Sequence, residues 1–126
     1  MISPTDPSDT EIRQGDIWLV SLGKPHVGEP GKNRPAVVVS NDGIQSGSAL
    51  DLISVVPLTT ARAETALRPR LPAQHGLDVE CVAVCDGVRA LVRSRFLRKI
   101  GTLTTPEMNA IMAARALVEA YSPGIT

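Results

Sequence analysis

Only one stretch of this chain has helical spacing, and it lies at the C-terminal end. Everything before it is short apolar runs cut apart by turn formers. Residues 104–122, "TTPEMNAIMAARALVEAYS", put Ala110, Ile111, Ala114, Leu117, Val118 and Tyr121 on one stripe, with Thr105 expected at the N-cap, Pro106 at the first helical position and Glu107 in the first turn. Upstream, "GDIWLVSL" (15–22), "PAVVVS" (35–40) and "LDLISVVPL" (50–58) read as strands. The second is apolar throughout, as for a strand buried on both faces, and Pro35 is expected to open it because proline inside would break the ladder. Pro57 is expected to stop the third. "LRPRLP" reads as a weak edge strand, "VECVAVCDGVRALV" (79–92) as a strand broken or bulged at "CDG", and Leu97–Leu103 as a last short strand. Five or six strands at hairpin spacing, with one terminal helix, predict a mainly β fold: a small half-open barrel closed by the helix.

With 126 residues, 43% of them hydrophobic, the chain has enough for one core and one domain. Residues 1–12, polar and carrying two prolines, read as a flexible N-terminal arm; 13–122 form the domain and 123–126 a tail. Only Trp18, Phe96 and Tyr121 are aromatic, so the core must be aliphatic and the exposed ring platforms of many RNA-binding modules are not expected. Trp18 lies on an alternating strand and reads as core. No apolar run approaches the ~18 residues of a membrane span, and no leader-like segment opens the chain, which points to a cytoplasmic protein.

Cys81 and Cys85 would lie about 13 Å apart on one face of a strand, too far for a disulfide. Alone they are half a zinc site, and neither His26 nor His75 stands at metal-ligand spacing from them. Two reduced, buried thiols are expected, with no metal and no cofactor. Formal net charge is zero, but residues 1–16 hold four acids and one base, so the rest is net positive. From Asp86 to Lys99 there are five bases against one acid, a patch that suits anions or plain solvent alike.

The charged and hydroxylated residues gather just outside strand ends. Glu29 and Arg34 precede the second strand, Thr59 and Thr60 follow the third, and Asp86 and Arg89 flank the break in the fifth. A carboxylate, a guanidinium and hydroxyls on one rim would suit RNA cleavage by its own 2′-hydroxyl. The carboxylate takes a proton, the arginine neutralises the pentacoordinate phosphate and a hydroxyl donates to a non-bridging oxygen. Loops of many domains collect such residues, so spacing alone also allows a surface salt bridge between Arg34 and Glu29 and a turn-capping role for Thr59.

"RQGDIWLVSLGKPHVGEPGKNRPAVVVSND" followed by "VVPLTT" resembles the MazF/PemK family, the toxin halves of bacterial toxin–antitoxin pairs. "CDGVRAL" and the "G-x-L-T-x-x-x-M" entry to the helix match in the same order, covering residues 13 to about 120. The resemblance implies an SH3-like half-open barrel, shared with CcdB-like toxins, that forms a homodimer. It also implies a metal-independent, sequence-specific endoribonuclease acting on single-stranded RNA, leaving a 2′,3′-cyclic phosphate and a 5′-hydroxyl. The family's essential arginine falls on Arg34, its threonine on Thr59 and its loop carboxylate on Glu29. His26, Lys32, Asn33, Thr60, Asp86 and Arg89 are candidate RNA contacts around them.

In two places the chain departs from some relatives. Gly28 stands where they carry histidine before the loop glutamate, and Val84 where they pair an arginine with the aspartate of the "CD" segment. Which group is general base and which general acid stays open. The implied partner is an antitoxin with an acidic, disordered tail that folds along the basic rim. The alternative is a barrel that binds nucleic acid or peptide without cutting it. The loops around 23–33, 41–50 and 60–70 are expected to set the cleavage sequence.

Overall fold

The computed structural model describes residues 11–23, 33–40 and 52–120. Among the described residues there are seven strands: β1 (Asp16–Ser21), β2 (Asn33–Val38), β3 (Leu52–Thr59), β4 (Arg70–Leu71), β5 (Cys81–Ala83), β6 (Arg89–Val92) and β7 (Phe96–Thr102); helix α1 (Thr105–Ala120) follows. They form one sheet in the order β4-β5-β3-β2-β1-β7, with β6 also on β3. The named pairs are all antiparallel. The mainly β architecture with a terminal helix is as expected.

The strand count exceeds the expected five or six because the 79–92 run is two strands. A 3₁₀ turn at Cys85–Gly87 separates β5 from β6. Leu52–Val55 pairs with β6, and Leu58–Thr59 pairs with β5. One flank of β3 is thus covered by two successive strands that meet at a corner, which bends the sheet toward a barrel. "LRPRLP" supplies β4, the short edge strand.

Both prolines sit inside strands, against expectation, and the backbone explains why. In an extended strand a residue's N–H and C=O point to the same side. The Pro57 carbonyl accepts from the Val84 N–H at 2.9 Å, so its nitrogen faces the corner between β5 and β6, where no ladder partner is lost. Val39 donates toward β3, to the Ser54 carbonyl. By alternation Pro35 also faces β3, one residue beyond the ladder, which ends at Ala36 opposite Pro57. Neither ring removes a bond that the sheet needs.

Ala36–Val39 are all buried, as a two-faced core strand should be. Val37, Val39, Val56 and Leu58 pack with Ile111 and Ala114 of α1 on one side. Ala36, Val38, Ile53 and Val55 pack with Trp18, Leu91 and Phe96 on the other. Trp18 meets Phe96 edge to face at 5.9 Å. Ile12 is buried in this second core, so the last residue of the expected N-terminal arm is anchored. On α1 the buried side is narrower than expected: Ile111 and Ala114 are buried with Met108 and Val118 beside them, while Ala110 and Leu117 are exposed. Tyr121 lies outside the described residues.

The helix start is shifted by one residue. Thr104, not Thr105, is the N-cap: its hydroxyl accepts from the Glu107 N–H, while the Glu107 carboxylate accepts from the Thr104 N–H and hydroxyl. This is a capping box, in which two donors orphaned by the helix end are satisfied reciprocally. Burial pushes the Glu107 carboxyl up. The donors Thr104 and His75 outweigh that and leave it below the ordinary glutamate value.

Candidate functional site

The β2–β3 register brings together two of the expected site residues. The ladder ends at Ala36 opposite Pro57, and two more residues in that register bring Arg34 across from Thr59. The side chains meet there: Arg34 Nη1 lies 3.5 Å from Thr59 Oγ1. Thr59 Oγ1 also accepts from the Ala61 N–H at 3.1 Å, which fixes the hydroxyl at the strand end. Residues 25 apart in sequence are thus joined by strand pairing alone. Both are partly buried, and no carboxylate pairs with Arg34 among the described residues.

The pair stands at a cleft of about 340 Å³. Asn33, Arg34, Thr59 and Thr60 give it polar lining, Pro35, Leu58 and Cys81 an apolar floor, and Leu77, Asp78 and Val79 a further stretch of wall. A fixed cation and a hydroxyl above an apolar floor suit an anion attached to a flatter, less polar group. Asn33 and Thr60, expected as RNA contacts, are in this cleft.

Asp86 and Arg89 are not among the residues lining it. Asp86 accepts from Arg68 Nε at 3.3 Å and Nη2 at 2.9 Å, and borders a separate 150 Å³ cleft beside Arg115 and Val118. Arg89 is exposed at the start of β6, opposite Val55, four positions along β3 from Thr59. Glu29, His26 and Lys32 lie outside the described residues, so their placement relative to Arg34 is not part of the geometry. Both cysteines are free and buried, and burial pushes the Cys85 thiol up to about 11. Among the described residues no three His, Cys, Asp or Glu side chains gather closely enough to hold a metal ion.

Sequence reasoning missed the 77–79 wall. His75, in "PAQHGLD", reads from the sequence as a turn residue, and it is one: His75 has φ 59° and Gly76 φ 90°. What the string does not reveal is that this turn packs back against β7. A side chain on Gly76 would come within 2.5 Å of the Ile100 carbonyl oxygen, and one on Gly101 would meet the His75 carbonyl. His75 Nε2 also contacts the Glu107 carboxylate at 2.9 Å. The wall is therefore tied both to the sheet and to the helix cap.

A family model described as "PemK-like, MazF-like toxin of type II toxin-antitoxin system" matches residues 13–118. Over 102 residues, 77% of this chain and 86% of the relative, the sequence is 35% identical to endoribonuclease MazF9 of Mycobacterium tuberculosis. MazF of Deinococcus radiodurans superposes with a TM-score of 0.75 at 21% identity, covering 89% of this chain and 99% of that one. A mycobacterial endoribonuclease solved with its cognate antitoxin gives 0.72 at 20% identity, covering 87% and 96%.

Proposed function

Because this chain belongs to the PemK-like, MazF-like toxin family of type II toxin–antitoxin systems, we propose that it is a sequence-specific endoribonuclease acting on single-stranded mRNA. The observation that carries the reading is the contact of Arg34 with Thr59 at the lip of the cleft. A scissile phosphate held there receives the guanidinium's charge and the hydroxyl's hydrogen bond. The 2′-oxygen attacks phosphorus as its proton passes to a base, for which we propose Glu29. The bond to the 5′-oxygen breaks, leaving a 2′,3′-cyclic phosphate, and the departing 5′-oxygen takes a proton from water. Arg34 stabilises the phosphorane as a positive charge held beside it. No step requires a metal ion.

Asn33 and Thr60 flank the phosphate site, and Lys32, His26, Arg89 and Asp86 are further RNA contacts in this reading. The protein acts as a homodimer in the cytoplasm, held inactive by an antitoxin with an acidic tail. A mycobacterial relative's structure in complex with its cognate antitoxin supports that partnership. The experiment is incubation of the purified protein with a mixed single-stranded RNA pool in EDTA, followed by mapping of the 5′ ends and analysis of the 3′ termini. Cuts at a shared sequence ending in cyclic phosphate are expected. RNA bound but intact across all sequences would replace the enzyme by a binding module, and activity restored only by a divalent ion would overturn the metal-free chemistry.

A further inference from the structure

Seven of the eight acidic side chains in the described residues are committed: Glu11 to Arg13, Asp16 to Lys99, Glu64 and Glu80 to Arg70, Asp86 to Arg68, Glu107 to His75 and Glu119 to Arg115. The eighth, Asp78, has no hydrogen-bond or ion-pair partner among the described residues, and it lines the same cleft as Arg34 and Thr59. We propose that this cleft receives the nucleobase next to the cut phosphate and that Asp78 selects guanine there. The proposal rests on the ribonuclease reading for the position of the phosphate.

At about 340 Å³ the cleft is at the small end of ligand sites, on the order of 300–1,000 Å³. It has room for a single nucleotide rather than a run of them. Pro35, Leu58, Leu77 and Val79 give the base an apolar bed where RNA readers more often use an aromatic ring. An ionised carboxylate only accepts hydrogen bonds, and it has two oxygens to satisfy. Guanine alone presents two adjacent donors, N1–H and N2–H, on its pairing edge. Adenine and cytosine set one amino group beside a ring-nitrogen acceptor, and uracil sets one N–H between carbonyls. Each of these turns a lone pair toward the second carboxylate oxygen, which costs a desolvated acceptor its partner.

The turn that leads into Asp78 is anchored. Asp78 follows Gly76 by two residues, and the Gly76 turn is pressed against the β7 backbone and pinned by His75 to Glu107. A recognition group on a fixed segment discriminates better than one on a loose loop.

The test uses short oligoribonucleotides with 2′-fluoro sugars, which lack the attacking hydroxyl. Each pool has one fixed central base and randomised flanks, and binding is read by fluorescence anisotropy. The guanine pool is expected to bind tighter than the others by roughly five- to a hundredfold, the range of a bidentate base contact. An inosine pool, lacking the N2 amine, should fall back toward the rest, and Asp78→Asn and Asp78→Ala should each erase the preference. Equal binding of all bases by the unmodified protein, or a guanine preference kept in both variants, would overturn the proposal. Cleavage of the matching ribose pools is scored separately. Guanine-selective binding without any cleavage would sink the ribonuclease reading and leave the pocket assignment standing; cleavage without guanine selectivity in binding would do the reverse.

Discussion

Arg34 is where the strand register sets a cation beside a hydroxyl. Its neighbours Ala36 and Val38 are core, yet its own side chain reaches the strand end and meets Thr59. Loss of one preorganised donor to a developing anion costs enzymes about a hundredfold or more in turnover. Arg34→Ala and Thr59→Ala should each lower kcat by at least that factor while the circular dichroism spectrum and melting temperature stay near those of the parent. Either variant cutting RNA at the parent rate would remove that residue from the mechanism. Cys85 makes the opposite case. Its thiol is buried and raised to about 11, so the reactive thiolate is scarce at neutral pH. The folded protein should resist alkylation at pH 8, and both cysteines should react once it is denatured; rapid labelling of native Cys85 would contradict the packing. At this scale strand-end placement made Arg34 and Thr59 candidates, and the family pattern alone implied a role for each. Asp78 was hidden because its role depends on a turn folding back onto β7, and no local string encodes such a contact.

Elements were far more legible than their edges. The strand runs and the helix could be read from periodicity, because burial on one or two faces imposes it directly. The prolines misled because a sequence shows a missing N–H but not which neighbour would have received it. The helix cap was displaced for a similar reason: both Thr104 and Thr105 suit an N-cap, and only the reciprocal bonds with Glu107 decide between them. Thr104→Ala should therefore cost about 1 kcal/mol in urea melts, with Thr105→Ala nearly silent. Glu107 adds a pH dependence whose sign follows from its lowered value. A carboxyl that is more acidic folded than unfolded contributes its full stabilisation above the unfolded value of about 4.3. That contribution is lost as pH falls through the lower folded value. Melts taken from neutral pH down to about 3 should show a shallower acid limb for Glu107→Gln than for the parent. Parallel limbs would mean that the cap and His75 do not hold the carboxylate charged.

At the scale of the whole molecule, zero net charge hides an asymmetry that pairing exposes. Acids among the described residues are nearly all spent on neighbouring cations, whereas Arg34, Arg62, Arg89, Arg95 and Arg98 have no carboxylate partner there. A neutral chain can thus present unpaired guanidinium groups to a polyanion, which a count of charges along the sequence does not foresee. Binding of single-stranded RNA through such groups releases counterions, and each phosphate contact adds about −0.7 to the slope of log affinity against log salt. If Arg34 holds a phosphate, Arg34→Ala should reduce the magnitude of that slope by about 0.7, measured with an uncleavable 2′-fluoro RNA. Arg70→Ala is the matched control, because its guanidinium is already shared between Glu64 and Glu80 and should leave the slope where it was. Weakened binding by Arg34→Ala with an unchanged slope would mean that this arginine shapes the cleft without touching the backbone of the RNA.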